Sequence, residues 1–217
     1  GEQLNNAKLT KKEKLWCKEE IARIIAKFHK VQNNKFGYIQ NQLYDNWHIA
    51  LRSMTLNLIH DTERVGRKTK RGEKLLKYID EHKDILESVT CSMVNFDMWY
   101  GNILCTRKND KLELIVIDPE RTVWGDSIFD FVNLEFEKML NKKATSLIAY
   151  NETAKIEVNG TKEEMIRFAL GLGYLALIQE TEKYYRYTPC HFGWWRNVAS
   201  CKFLYSNAFR ILKYGTN

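Results

Sequence analysis

The chain has 217 residues, 44% hydrophobic and 28% charged, enough for one globular domain or two small lobes around a real core. No apolar run approaches the roughly 18 residues that a membrane-spanning helix needs, and Lys and Glu interrupt the first apolar helix, so neither a membrane span nor a signal peptide is expected. A net charge of +7 invites an anionic partner, but the basic runs Lys11-Lys12 and Arg67-Lys68-Thr69-Lys70-Arg71 are short, the second reads as a solvated loop, and no zinc-finger spacing or aromatic-basic RNA-binding motif is present.

Five scattered cysteines, Cys17, Cys91, Cys105, Cys190 and Cys201, lack metal spacing and point to a reduced, cytoplasmic protein with buried thiols. After a polar opening, Thr10 and Glu13 form a capping-box pattern. Leu15, Ile21, Ile24, Ile25 and Phe28 then recur at helical spacing, with His29 at the end as an exposed or packing residue. Phe36-Gly37-Tyr38 reads as a turn. Asp45 to His60 forms a second helix with Trp47, Leu51, Met54 and Leu58 on one stripe, and Glu73 to Leu86 a third.

The stretch from Val94 to Phe131 carries the chemistry. Thr90 to Phe96 can extend into a loop holding Asp97. Asn102 opens the strand-like run Ile103 to Thr106, Arg107 to Lys111 is a hairpin turn, and Leu112 to Ile117 returns to Asp118. If the two runs pair, Asn102 and Asp118 meet at one end of the hairpin with Asp97 alongside. Any one of these residues alone reads as a cap. An Asp five residues before an Asn, followed by an Asp at a strand end, is the order of a kinase site: a base that orients a hydroxyl and hard oxygen ligands for Mg²⁺.

Beyond it, Ile128, Phe129, Val132, Leu134, Phe136 and Leu140 predict a helix with Glu135, Glu137 and Lys138 outward, capped by Asp126, with Asp130 one turn in. Thr145 to Tyr150 is short and helical or extended. Thr161 and Glu164 repeat the capping box before a long helix from Lys162 to about Tyr184, where Gly171 and Gly173 allow close packing. A last helix runs from Trp194 or Trp195 to Tyr214. Between these two, Tyr184 to Trp195 is dense in aromatic rings that could face a substrate, with Glu180 and Glu182 able to draw a cation.

The stretch resembles the catalytic segment of the aminoglycoside-phosphotransferase-like and choline-kinase-like small-molecule kinases. That family carries His-x-Asp-x-x-x-x-Asn, then an Ile-Asp-Phe strand end, then Trp/Tyr-Gly-Asp-Pro and a later Asp. The resemblance implies that Asp97 is the catalytic Asp, Asn102 and Asp118 the Mg²⁺ ligands that also engage the nucleotide, and Asp126 and Asp130 supports of the catalytic loop. His29 fits the family's early helix that ends in a His. Asn95 stands where the family has His, Pro119 where an aromatic is usual, and Ser127 where Pro follows Gly-Asp.

The implied fold is α+β and mostly helical, a protein-kinase-like C-terminal lobe with helices around a short catalytic β-hairpin. No Gly-rich loop, no strand-borne Lys and no strand upstream of the first helix is apparent. Residues 1–217 therefore read as the catalytic and acceptor-binding lobe, with 1–10 a linker from an N-terminal nucleotide-binding lobe that is absent here. The full-length protein is expected to transfer phosphate from ATP or GTP to a small-molecule hydroxyl, and this lobe alone to be nearly inactive. The alternatives are a catalytically silent binding module and, less favoured, a basic nucleic-acid-associated domain.

Overall fold

The computed structural model describes residues 1–109, 111–135 and 140–215. Helices start where a side chain supplies the acceptor that the first turn lacks. Before α1 (Lys11–His29), Thr10 Oγ1 accepts the Glu13 amide at 3.3 Å and the Glu13 carboxylate accepts the Thr10 amide at 2.8 Å, closing the capping box. Cys17, Ile21 and Ile25 form its buried stripe. Before α2 (Trp47–Arg64), Asn46 Oδ1 accepts the Ile49 amide at 2.9 Å.

The single helix predicted over Glu73–Leu86 is two, α3 (Lys70–Glu81) and α4 (Lys83–Glu87), divided at His82 with φ −110°. The first starts early because Thr69 Oγ1 accepts the Gly72 amide at 3.0 Å, so Lys70 and Arg71 are helical rather than part of a solvated loop.

Among the described residues two three-stranded antiparallel sheets position the site. One has the order β1 (Glu2–Gln3), β4 (Ile103–Lys108), β5 (Lys111–Val116), and the other β2 (Gly37–Tyr38), β6 (Val123–Asp126), β3 (Cys91–Val94). The hairpin β4–β5 forms as the sequence predicts, pairing Ile103 with Val116, but it is longer: Arg107, Lys108 and Lys111, read as turn, are paired strand residues, and Asp110 lies outside the described residues. Two predictions are corrected here. A strand does precede the first helix, since Glu2 and Gln3 add to the open edge of β4 opposite Cys105 and Leu104. Gly37 and Tyr38 pair with Trp124 and Val123 as a short strand rather than a turn.

Among the described residues four helices complete the fold: α5 (Ile128–Leu134), α6 (Thr145–Asn151), α7 (Lys162–Arg186) and α8 (Phe192–Tyr214). The capping box of Thr161 and Glu164 opens α7. Its glycines let neighbours sit against the backbone: a Cβ on Gly171 would lie 2.7 Å from a Val132 methyl, and one on Gly173 2.6 Å from a Leu75 methyl. Helix α5 stops at Leu134, and Phe136, Glu137 and Lys138 of the longer predicted helix lie outside the described residues. Glu135 does not face outward. It is buried, bonded to Ser146 and held 2.7 Å from Lys18 Nζ, because α1 and α6 close over the end of α5.

Behind the loop that carries Asp97, Phe96, Trp47, Phe129 and Tyr174 pack ring against ring, with Trp47 edge-on to Phe129 at 5.1 Å and Phe96 5.4 Å from Phe129. Cys17, Cys91, Cys105 and Cys201 are buried thiols, and Cys190 is exposed. Among the described residues no helix is long and apolar enough to cross a membrane.

Candidate active site

The hairpin brings its two ends together. The Ile117 amide donates to the Asn102 carbonyl at 3.0 Å, extending the ladder by one step, so Asn102 and Asp118 leave the sheet side by side. The Asn102 side-chain amide then donates to the Asp97 carboxylate at 2.9 Å and to the Asp97 carbonyl at 3.2 Å. All three predicted site residues stand around one cleft of about 410 Å³ between the loop that carries Asp97, α7 and α8.

A buried frame holds the loop. Asp130, fully buried, accepts the Phe96 amide at 2.7 Å and the Asn95 amide at 3.2 Å. Its carboxylate also meets His29 Nε2 at 3.0 Å, and His29 Nδ1 meets the Tyr150 hydroxyl at 2.9 Å. A carboxylate only accepts, so Nε2 carries the proton there. Of the two readings, exposed or packing, His29 takes the second, as a buried brace. Asn95 Oδ1 accepts the Asp97 amide at 3.0 Å, which ties the loop to its own start. Asp126 Oδ1 accepts the Ile128 amide at 3.0 Å and pairs with Arg167 at 2.7 Å, securing the start of α5.

Two residues beside the site adopt left-handed backbone, Phe96 with φ 57° and Asp118 with φ 58°. Such conformations persist in non-glycine residues only where surrounding contacts impose them. At Phe96 the contacts are visible: Asp130 takes its amide, and the Asn133 side chain donates to its carbonyl at 2.9 Å.

Arg121 is a site residue that sequence reasoning missed. Its Nε lies 3.6 Å from the Asp97 carboxylate and its Nη2 2.5 Å from Glu182. Burial pushes the Asp97 carboxyl up, and Asp118 and Glu182 add to this, while Arg121 and the Asn102 amide pull it back. Burial pulls the Arg121 guanidinium down, but Asp97 and Glu182 outweigh it and leave it firmly charged. The only signal in the sequence was position, three residues after Asp118.

No family model and no curated protein matches the sequence. Solved structures do match. A candidate aminoglycoside phosphotransferase from Ralstonia eutropha JMP134 superposes with a TM-score of 0.61 at 12% identity, over 97% of this chain and 70% of that one. An ethanolamine kinase from Plasmodium vivax superposes with a TM-score of 0.57 at 12% identity, over 93% of this chain and 61% of that one. The chain has the aminoglycoside-phosphotransferase-like kinase fold. It spans about two thirds of the length of these two proteins.

Within this kinase-like fold the residues present suit Mg²⁺. Asp118 makes no hydrogen bond or ion pair with the described residues, and the Asn102 amide nitrogen is spent on Asp97, which leaves its oxygen free. One carboxylate and one amide oxygen form a hard, sparse set, which Mg²⁺ takes together with phosphate oxygens. No group of three or more His, Cys, Asp or Glu able to hold a metal occurs among the described residues.

The aromatic stretch contributes less than the sequence suggests. Of its rings only Tyr187 lines the cleft, stacked on His191 at 5.0 Å. Tyr184 and Trp194 pack edge to face over Lys183, and Phe192 and Trp195 face solvent. Glu180 is not open to a cation, because it is buried and accepts from Thr69 and Tyr205 at 2.9 and 3.0 Å. Glu182 is already neutralised by Arg121 and, at 3.8 Å, by Arg186.

Proposed function

We propose that this chain is the catalytic and acceptor-binding part of a small-molecule kinase that transfers the γ-phosphate of ATP or GTP to a hydroxyl. The observation that carries this is the Asn102–Asp97 hydrogen bond of 2.9 Å at the hairpin end that also delivers Asp118. Asp97 accepts the hydroxyl proton as the acceptor oxygen bonds to phosphorus and the bond to the departing nucleoside diphosphate breaks. Burial makes this carboxylate more basic than a surface Asp, and Arg121 and Asn102 keep it aimed. Asn102 and Asp118 would hold Mg²⁺, which neutralises charge on the phosphates when bound. Arg196, on the cleft wall without a protein counter-ion among the described residues, adds positive charge for a polyphosphate. Segments outside this chain supply most nucleotide contacts, so the chain alone binds nucleotide weakly, and the reaction belongs in the cytoplasm.

The test is calorimetric titration of Mg-ATP and Mg-GTP into the chain beside Asp118→Ala, followed by phosphate transfer in the full-length protein beside Asp97→Ala. Weak, Mg²⁺-dependent binding lost in Asp118→Ala and transfer lost in Asp97→Ala are expected. Full-length protein that transfers phosphate equally well with Asp97→Ala would sink the reading. The Arg121–Asp97 contact favours one second reading, a silent binding module whose base is neutralised. Mg-nucleotide binding without any transfer in the full-length protein distinguishes it.

A further inference from the structure

A second cavity of about 400 Å³ lies behind the first, between the segment from Gly37 to Tyr44, α2 and α7. This is the size range of small-molecule sites. The two cavities share Arg121 and Glu182 as a common wall. The second therefore ends against a guanidinium whose other side lies 3.6 Å from Asp97.

Its lining is neutral in practice. Three charged side chains reach it, and each already has a counter-ion: Asp61 with Arg64 at 2.8 Å, and Arg121 with Glu182 at 2.5 Å. The Tyr38 and Tyr174 hydroxyls share a hydrogen bond of 3.2 Å, and burial pushes both phenols up, so they stay protonated. Tyr44 and Ser53 share another of 2.7 Å. The amides of Asn41, Gln42 and Asn57 line the same cavity, and their side chains make no hydrogen bond to the described residues.

An ammonium ligand would meet carboxylates that are already paired and would lose its hydration for little return. An anionic ligand would meet a guanidinium held by two carboxylates. Hydroxyl groups, which both donate and accept, match the free amides and the phenols, while Met54, Leu58 and Ile178 offer an apolar face to the carbons that carry them. We propose that this chamber holds the body of the acceptor, and that the acceptor is a neutral polyhydroxylated molecule, a sugar or polyol without an amine. The assignment of an acceptor rests on the kinase reading above, but the binding site itself does not.

The test is ligand-observed and protein-observed NMR on the intact chain with D-glucose, D-ribose, myo-inositol and glycerol, and with glucosamine as the cationic match to glucose. Asn57→Leu is an exposed substitution on α2 that removes an amide from the wall, and Gln42→Ala does the same from the loop if the first variant melts early. At least one neutral probe is expected to bind, glucosamine to bind at least fivefold more weakly than glucose, and either wall variant to weaken binding at least fivefold. Failure of all four neutral probes, tighter binding of glucosamine, or indifference to both wall variants overturns the proposal. Polyol binding by the chain, with no phosphate transfer by the full-length protein, would remove the kinase reading and leave the chamber. Mg-nucleotide binding without polyol binding would do the reverse.

Discussion

The guanidinium of Arg121 lies 3.6 Å from the carboxylate of Asp97 and 2.5 Å from that of Glu182, so one cation is shared between the candidate base and the wall of the cleft. Its opposing charge holds the Asp97 carboxyl below where burial alone would put it. Arg121→Gln should therefore move the acid limb of the kcat/KM profile of the full-length enzyme to higher pH. It should also lower kcat by about 10²-fold through misplacement of the base. Glu182→Gln frees Arg121 for Asp97 and should shift the same limb the other way. A profile that is unchanged in Arg121→Gln would show that the pair plays no part in setting the base.

Asp97 is expected to cost stability where it is ionised. Its folded carboxyl titrates above the unfolded value of 3.8 because of burial. The folded state therefore gains stability from its proton below 3.8 and loses that gain as pH rises through the folded value. At neutral pH Asp97→Asn should raise Tm, while transfer by the full-length enzyme falls by about 10²- to 10⁴-fold. Below the unfolded value the difference in Tm should vanish. Thermal melts of both forms across pH check the sign, and a lower Tm for Asp97→Asn at neutral pH would contradict it.

Local chemistry made much of this readable in the sequence. Thr10 with Glu13 and Thr161 with Glu164 are satisfied within three residues, so their helix starts needed no tertiary knowledge. Asp97, Asn102 and Asp118 were legible because one hairpin joins them. The misreadings depend on distant partners. Glu135 looks like a surface residue until Lys18 and Ser146 close over it. Arg121 shows its role only beside Glu182, 61 residues away. Glu2 and Gln3 carry no strand pattern, and become one only because β4 offers an open edge.

The close approach at Gly173 has a specific partner. A Cβ there would lie 2.6 Å from a methyl of Leu75, which is fully buried and has nowhere to go. Gly173→Ala should destabilise by about 1–3 kcal/mol through overpacking, despite Ala's better helix propensity. Leu75→Ala should cost about 2–5 kcal/mol by leaving a cavity. The double variant should cost clearly less than the sum, because the new methyl fills part of that space. Urea denaturation of the four proteins measures the coupling, and simple additivity would mean that α3 and α7 can separate without loss.

Asp130 supports the loop that carries Asp97 from beneath and should separate stability from chemistry. It accepts two loop amides and the His29 ring in a site closed to water. Asp130→Ala removes the acceptor for all three and should cost about 3–5 kcal/mol in urea denaturation. His29→Phe retains the ring volume but leaves the Asp130 carboxylate short of one donor and the Tyr150 hydroxyl without its partner, so a loss of about 1–3 kcal/mol is expected. Because both changes act on one network, the double variant should cost less than the sum of the two. Neither side chain lines the cleft. In the full-length enzyme His29→Phe should therefore lower kcat through a looser Asp97 while leaving the nucleotide KM nearly unchanged. A variant that lost nucleotide affinity and kept kcat would place the brace under the metal ligands instead of under the base.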